Sequence, residues 1–415
     1  MNKQNEVTAY IHIPFCTFKC FYCDFNTYAG LESLIPTYIE SVKKEILRWG
    51  QTIQNSNIGK GNIELKSIFI GGGTPSLLND KQLGEVLETL NYVFSIPSTS
   101  EITIEANPES IEEEKFRNFK TAGINRVSIG GQSTNDSELQ MLGRLHNSKR
   151  LTEAYEEIKA SGIESINIDF MYNLPGQSLS TWETTLNDAI ELDPDHLSLY
   201  GLTIEERTPF YNSIKNGTLP DLDDDLAADM YELAEYMLPD KGYDQYEISN
   251  WAKPNKSSIH NIHYWENGDF IGIGPGAHSH IGKNRFSNIL QPREYIKALE
   301  KLNQTRALFQ DIFQVNTYSF KEKVSKIAPI SDVSEHTQFT EAQEALILEL
   351  RLNKGVNLNE FEKKYGINAT DRFNTAIAES NRYGLIENNG SNLKLTPKGR
   401  LLSNEVFVRI MGTDN

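Results

Sequence analysis

The sequence predicts an α/β protein: a partial (β/α)6 barrel with an additional middle region and a small C-terminal winged-helix-like domain. In the first half, short β-branched segments alternate with amphipathic ones, and crossovers through helices make consecutive strands parallel. Polar or glycine-rich residues follow nearly every predicted strand, and all three cysteines of the 415 residues follow the first. A doubly wound sheet is the alternative, but residues of this kind at so many strand ends favour a barrel.

Six strands and five helices are predicted in order along this half. The strands are Val7–Ile13, Ser67–Ile70, Glu101–Ala106, Arg126–Ile129, Ser165–Phe170 and His196–Leu202. The helices are Leu34–Leu47, one with apolar residues from Leu83 to Phe94, Glu112–Thr121, Leu151–Ala160 and one ending at Ile190. A capping residue followed three positions later by Glu or Gln marks a helix start. We therefore expect Asn79 with Gln82, and Ser180 with Glu183, to begin the second and fifth helices.

The composition sets limits on function. Hydrophobic residues make up 38% of the chain, which suffices for one large domain and one or two smaller ones. No apolar run reaches about eighteen residues, and no signal-peptide core precedes the cysteines, so we expect a cytoplasmic protein. The net charge of −17 disfavours a nucleic-acid surface, which would be basic.

Cys16, Cys20 and Cys23 have the spacing C-x3-C-x2-C. A zinc ribbon would need a second cysteine or histidine pair, and three cysteines cannot all pair as disulfides. Three thiolates leave one iron of a four-iron, four-sulfur cluster without a protein ligand, where chemistry can occur. We expect such a cluster; buried apolar cysteines or an unusual structural zinc are the alternatives.

Other strand ends carry residues suited to ligand binding. They are GGGTP (71–75), EANPE (105–109), GGQS (130–133), and a strand that carries Asp169 and runs to NLPGQ (173–177). Each is weak evidence by itself, because glycine turns and strand-end carboxylates are common. Their expected meeting at one edge of the sheet predicts a binding site there.

The cysteine loop with Tyr22, together with GGGTP, resembles the radical SAM superfamily, and the resemblance covers essentially the whole chain. It implies a [4Fe-4S] cluster on the three cysteines, S-adenosylmethionine (SAM) on the open iron, and an electron donor for the cluster. The reduced cluster of such proteins splits SAM into methionine and a 5′-deoxyadenosyl radical. The SAM contacts implied by the resemblance are Tyr10, Tyr22, Gly72, Gly73, Thr74, Glu105, Gln132, Arg144 and Asp169.

Within that superfamily the chain resembles the oxygen-independent coproporphyrinogen III oxidase group, and more closely its HemW-type heme chaperone branch. The resemblance rests on NRVSIGGQS, LGRLH, NIDFMYNLPGQ, LSLYGLTIEERTPF, YEISNWAKP and IGIGPGAHS. The oxidases have a further cysteine two residues after the third, where this chain has Phe25, and an N-terminal extension, whereas Cys16 lies near the start. Gly131 replaces a bulkier residue of the group (GVQS), so we expect a looser wall near Gln132.

The segment from His260 to Trp265, HNIHYW, resembles the HNxxYW motif of the heme chaperone branch. A neutral imidazole is a good axial ligand for heme iron, and Tyr264 and Trp265 are suited to flank a porphyrin face. We expect heme to bind here, through His260 in preference to His263, although the sequence does not choose between them. Histidines with satisfied hydrogen bonds in the core are the alternative.

The resemblance therefore implies a heme chaperone that binds a cluster, SAM and heme and delivers heme to acceptor hemoproteins of unknown identity. One alternative is an oxidase that decarboxylates coproporphyrinogen III in porphyrin biosynthesis; another is a radical SAM enzyme with an unrelated substrate. No catalytic residue is predicted, and whether the protein is an enzyme stays open. Neither a nucleic-acid partner nor a transmembrane segment is expected, and a peripheral membrane contact stays open.

We expect the barrel in residues 1–240, the middle region in 241–307 and the C-terminal domain in 308–415. In the last, helices at Glu341–Leu352, Leu358–Tyr365 and Arg372–Tyr383 precede a hairpin that turns at Asn389-Gly390, which is typical of a winged helix. Its third helix is not basic, which favours a lid or protein-contact domain over DNA binding.

Two further segments have simple interpretations. The acidic stretch Asp221–Met237 has apolar residues on one face and predicts a packed helix rather than a methionine box for heme. The G-x-G-x-G at 272–276 lacks the rest of the dinucleotide-binding fingerprint, so we reject that function for it.

Overall fold

A 12-stranded sheet dominates the computed structural model, which describes residues 6–55, 63–302 and 320–413. Its strands are β1 (Glu6–Ile13), β2 (Glu64–Gly72), β3 (Glu101–Ala106), β4 (Arg126–Gln132), β5 (Ser165–Tyr172), β6 (His196–Gly201), β7 (Asp244–Glu247), β8 (Asn250–Ala252), β9 (Phe270–Ile273), β10 (His278–Ile281), β11 (Asn284–Asn288) and β12 (Ile330–Glu335). Their order is β12-β11-β10-β9-β1-β2-β3-β4-β5-β6-β8-β7.

The strands β1 to β6 are parallel neighbours in sequence order, as the alternating pattern predicts. The helices connecting and following them are α1 (Ile35–Asn55), α2 (Asp80–Val93), α3 (Glu113–Ala122), α4 (Asp136–Leu142), α5 (Ser148–Ser161), α6 (Leu179–Leu192), α7 (Pro209–Lys215) and α8 (Asp224–Met237). The sheet does not close into a full barrel over the described ranges. The α/β class and the partial barrel are therefore confirmed.

Local capping explains where two of these helices begin. Asn79 and Gln82 form the predicted reciprocal capping box of α2. The prediction that Ser180 caps α6 is wrong, because Ser178 is the extended residue whose hydroxyl accepts from the Thr181 N–H. Two serines stand two positions apart, and the sequence rule selected the one already inside the helix. Helix α4 was not predicted.

Strands β7 to β12 extend both edges of the sheet formed by β1 to β6. The β7–β8 hairpin lies antiparallel beside β6, and β9 lies parallel to β1 with β10 to β12 beyond it. The helices of this part are α9 (Ile259–Trp265), α10 (Pro292–Leu302) and α11 (Phe320–Val324). In the G-x-G-x-G segment, the Gly274 N–H donates to the buried Glu45 carboxylate of α1 at 3.0 Å, which is a packing contact.

A second hydrophobic core lies within residues 339–410. It is formed by α12 (Gln338–Glu349), α13 (Leu358–Tyr365), α14 (Ala369–Arg372), α15 (Asn374–Arg382), α16 (Pro397–Leu401) and α17 (Ser403–Met411), with strands β13 (Val356–Asn357), β14 (Ile386–Asn388) and β15 (Asn392–Leu395). Helices followed by a β14–β15 hairpin give the expected winged-helix-like arrangement.

The predicted domain limits stay predictions. The limit at 307/308 lies outside the described residues, and β12, which falls within the predicted C-terminal segment, pairs with β11 in the large sheet. No helix in the described residues is both long enough and apolar enough to cross a membrane.

Candidate functional site

The three cysteines line one cavity of about 130 Å³ at the carboxyl ends of the parallel strands. After β1 the chain pairs Phe15–Cys16 with Tyr28–Ala29, which closes the loop that contains Cys20 and Cys23. Burial raises the pKa of the Cys16 and Cys23 thiols. Thiolates at these two positions therefore require positive charge nearby, as a metal centre provides.

The glycine-rich end of β2 packs directly against the cysteine strand. The Gly73 N–H donates to the Ile13 carbonyl at 2.8 Å, and a Cβ on Gly73 would lie 2.5 Å from the Phe15 oxygen and 3.0 Å from Cys16 Sγ. The adjacent Thr74 N–H donates to the Phe15 carbonyl at 2.8 Å. Only glycine permits this approach, so GGGTP positions the first cysteine.

Arg144 places a buried guanidinium beside the cysteines. Its Nη1 lies 3.6 Å from Cys20 Sγ, while Nη2 donates to Asn107 Oδ1 and to the Gly130 carbonyl, both at 2.7 Å. Its Nε is buried and has no hydrogen-bond partner in the described part of the chain. The side chain thus supplies positive charge and one available donor, which suits a carboxylate ligand.

Two partly buried carboxyl groups, Glu105 and Asp169, line the cysteine cavity. Glu105 accepts from the Gly72 N–H at 2.8 Å, and burial raises its pKa to about 7. Asp169 accepts from Asn167 Nδ2 at 2.8 Å and from the Ser128 hydroxyl at 3.0 Å, and burial raises its pKa too. A cationic ligand in this cavity would favour the ionised form of both groups.

A second cavity, of about 190 Å³, lies on the other side of these carboxyl groups. Glu105, Ser128 and Asp169 line both cavities. Tyr10, His260 and Tyr264 line only the second cavity. The two cavities are therefore neighbours that share a polar wall.

The two ring nitrogens of His260 differ in their hydrogen bonding. Its Nδ1 is 2.8 Å from the Ser67 hydroxyl, and its Nε2 is buried without a hydrogen-bond partner among the residues described. Burial lowers the pKa of His260 to about 3, so its imidazole stays neutral near pH 7. The ring stacks on Phe69 with centroids 5.2 Å apart and lies 4.6 Å from the Tyr264 ring.

His263 and Trp265 of the HNIHYW segment do not line this cavity. His263 Nε2 lies 2.8 Å from the Asp269 carbonyl, to which it donates. Trp265 packs under the Arg351 guanidinium of the C-terminal domain at 4.2 Å from its ring centroid. Residues four positions apart share one face of a helix, and adjacent residues do not. Helix α9 therefore presents His260 and Tyr264 to the cavity and Trp265 to Arg351 of the C-terminal domain.

The structure brings most of the predicted site residues together. The cysteine cavity is lined by Cys16, Cys20, Cys23, Tyr22, Gly72, Gly73, Glu105, Gln132, Arg144 and Asp169. Thr74 is buried beside that cavity without lining it, and its hydroxyl accepts from Asn107 Nδ2 at 3.1 Å. The sequence analysis did not single out Ser128, which also lines the cavity, and it named Asn107 only as part of EANPE, two positions after Glu105.

Gly131 does not open the wall near Gln132. A Cβ there would lie 2.9 Å from Ile168 Cγ2 and 3.1 Å from Leu151 Cδ2, so these side chains already occupy the space. Gln132 itself has a positive φ of 68° next to the register shift in β4. The expectation of a looser wall is wrong because neighbouring core residues fill the position.

Comparison with known proteins agrees with this geometry. The Radical SAM superfamily model matches residues 10–189, and that of the HemN C-terminal domain matches residues 337–402. Heme chaperone HemW of Bacillus subtilis is 36% identical over 98% of this chain and 99% of its own length. Heme chaperone HemW of Escherichia coli is 40% identical over 68% of this chain and 72% of its own length.

A solved structure of E. coli coproporphyrinogen III oxidase (HemN) shares the fold, with a TM-score of 0.81 and 21% identity over 98% of this chain and 90% of that one. A cysteine loop at the strand ends of an open parallel barrel defines, with these matches, a radical SAM protein. Within that superfamily, the chain belongs to the HemW family.

Proposed function

We propose that this protein is a heme chaperone that binds a [4Fe-4S] cluster, SAM and heme and delivers heme to acceptor hemoproteins. The observation that carries the proposal is the pair of adjacent cavities, one lined by three cysteines and the other by His260 with an unpartnered Nε2. Its relatives named heme chaperone HemW match nearly the full chain, which supports the same function.

The cysteine cavity fits the cofactors that the superfamily implies. Cys16, Cys20 and Cys23 would hold the cluster, which supplies one-electron chemistry toward SAM when bound. Arg144 adds positive charge beside Cys20 and directs a buried donor inward, which suits the SAM carboxylate. Gly72, Gly73 and the predicted SAM contacts Tyr22, Glu105, Gln132 and Asp169 line the same cavity, whereas Tyr10 lines the neighbouring one. An electron donor and a reducing compartment such as the cytoplasm suit this assembly.

His260 is the proposed heme ligand. Its neutral imidazole has one nitrogen without a partner, whereas His263 already uses its Nε2 on a backbone carbonyl. The cavity of about 190 Å³ is smaller than the roughly 300–1,000 Å³ typical of small-molecule sites. Heme would therefore reach His260 only when α9 or its neighbours move apart.

The test is one anaerobic preparation with a reconstituted cluster, assayed for heme binding, heme transfer to an apo-hemoprotein, and coproporphyrinogen III turnover. We expect heme binding and transfer without protoporphyrinogen formation. His260→Ala should lower heme affinity at least tenfold with unchanged iron content, and His263→Ala should change it less. Turnover dependent on SAM and reductant would instead make the protein an oxidase, despite the exposed Phe25 where oxidases carry a cysteine.

A further inference from the structure

We propose a second metal site, for a divalent zinc-class ion, where the C-terminal domain meets the large sheet. Its ligands are His336, which directly follows β12, and Glu341 and Glu344 in the first turns of α12. One donor atom from each of the three residues lies within 4.8 Å of the other two. The two glutamates are three positions apart and so project from the same helix face.

The distances between the donor atoms match those around a single ion. His336 Nδ1 lies 3.4 Å from Glu341 Oε2 and 3.4 Å from Glu344 Oε2. Zinc binds nitrogen and oxygen at about 2.0–2.2 Å, so neighbouring ligands of a tetrahedral ion are about 3.3–3.6 Å apart. Both distances from His336 thus fit a single ion, and the donor oxygens of Glu341 and Glu344 lie within 4.8 Å of each other.

The hydrogen bonding of these atoms is incomplete. Glu341 Oε2 and His336 Nδ1 are both buried and have no hydrogen-bond partner within the described ranges. The Glu341 side chain is only 7% exposed, and an unpaired buried carboxylate oxygen is costly. A bound cation would satisfy both atoms at once.

His280 is a second histidine that contacts Glu341. It is 1% exposed; its Nδ1 donates to the Gly268 carbonyl at 3.3 Å, which leaves a lone pair on Nε2 when the ring is neutral. That Nε2 faces Glu341 Oε1 at 3.2 Å and has no hydrogen-bond partner among the described residues. Glu341 is thus placed between two histidines, His280 on Oε1 and His336 on Oε2.

The remaining charged neighbours agree with a divalent ion. Arg285 Nε donates to Glu344 Oε2 at 2.7 Å, and Asn267 Nδ2 donates to Glu341 Oε1 at 2.7 Å. Two carboxylates and one guanidinium leave the cluster at −1 when the histidines are neutral. Imidazole and carboxylate donors suit zinc and its first-row neighbours, and such an ion would clamp α12 to the sheet edge.

The test uses cluster-loaded protein under anaerobic conditions, so that iron occupies the cysteines. After equilibration with Zn²⁺ and desalting, we expect one equivalent of zinc per chain. In a cluster-free Cys16→Ser/Cys20→Ser/Cys23→Ser variant, Co²⁺ in place of zinc should give d–d absorption without thiolate charge-transfer bands. The same variant should retain this zinc. Retention would show that the cysteines do not bind the zinc, and the result does not depend on heme binding.

Glu341→Gln and His336→Gln should each weaken zinc binding at least tenfold, whereas Glu335→Gln, at an exposed neighbouring position, should not. His336 is the more exposed ligand, so its variant keeps the test valid if Glu341→Gln does not fold. Absence of zinc from the wild type, or equal zinc in the His336 variant, would overturn the proposal. The cluster would then be a set of direct contacts between histidine and carboxylate side chains, without a metal.

Discussion

At the scale of single residues, the cysteine cavity combines ligands that the sequence reveals with contacts that it does not. Three cysteines in eight positions are visible in any reading of the chain, and so is the glycine run that packs on them. The Arg144 contact to Cys20 joins residues 124 positions apart, and no local pattern indicates it. Likewise Ser128 looks like any strand serine until the fold places its hydroxyl on Asp169.

Glu105 gives a prediction about pH. Burial raises its folded-state pKa to about 7, above the value of about 4.3 for an exposed glutamate. The folded state therefore holds this proton more tightly, and the stability associated with it is complete below about pH 4 and is lost as pH rises toward 7. Glu105→Gln removes this dependence. In cofactor-free protein, the unfolding free energy of the variant minus that of the wild type should therefore increase by about 3 kcal/mol between pH 4 and pH 8.

The measurement is urea unfolding at several pH values, with differences taken between variant and wild type. Glu88→Gln, at an exposed position of α2, is the control and should show a nearly constant difference. Parallel stability curves for Glu105→Gln and wild type would contradict the prediction.

At the scale of elements, sequence patterns predict a strand or helix well where its limits are set by residues close to it in the sequence. The capping box of α2 is such a case, and the misplaced cap of α6 shows how two nearby serines defeat the same rule. Helix α9 is different, because its N-terminus is held from another element. Glu101 of β3 accepts from the Ile259 and His260 N–H groups, each at 3.0 Å, across about 158 residues of sequence.

This contact predicts the effect of Glu101→Gln. The substitution removes a charged acceptor from buried helix N–H groups, so we expect a loss of about 1–3 kcal/mol in unfolding free energy. Hydrogen exchange should rise in 259–265 first, and heme affinity should fall if His260 is the ligand. Glu112→Gln is the matched control, since Glu112 precedes α3 without a capping hydrogen bond and should have little effect. Unchanged exchange in α9 would show that Ser258 alone holds the helix start.

At the scale of the whole molecule, the sequence predicts a barrel, a middle region and a C-terminal domain, but not how the C-terminal domain meets the rest. Patterns of apolar residues locate the second core, because each helix buries one face within its own domain. Beside the apolar contacts of Ile248 and Leu401, charged side chains join the parts. Arg351 lies over Trp265 and 3.5 Å from Glu247, and Arg400 lies 2.7 Å from Glu235. Such pairs resemble ordinary surface charges in the sequence, so only the structure identifies them.

Arg351→Ala tests this contact. Glu247 is fully buried, and without Arg351 its carboxylate loses its cationic partner while Trp265 loses the overlying guanidinium. Because Arg351 is itself 24% exposed, we expect a loss of about 1–3 kcal/mol in unfolding free energy, below that of a fully buried pair. Hydrogen exchange should increase at 244–252 and 259–265 as well as in α12.

Arg409→Ala is the control, because Arg409 pairs with Glu379 and Glu405 inside the C-terminal domain. It should raise exchange only there, and the same pattern from both variants would mean that Arg351 does not join the two parts.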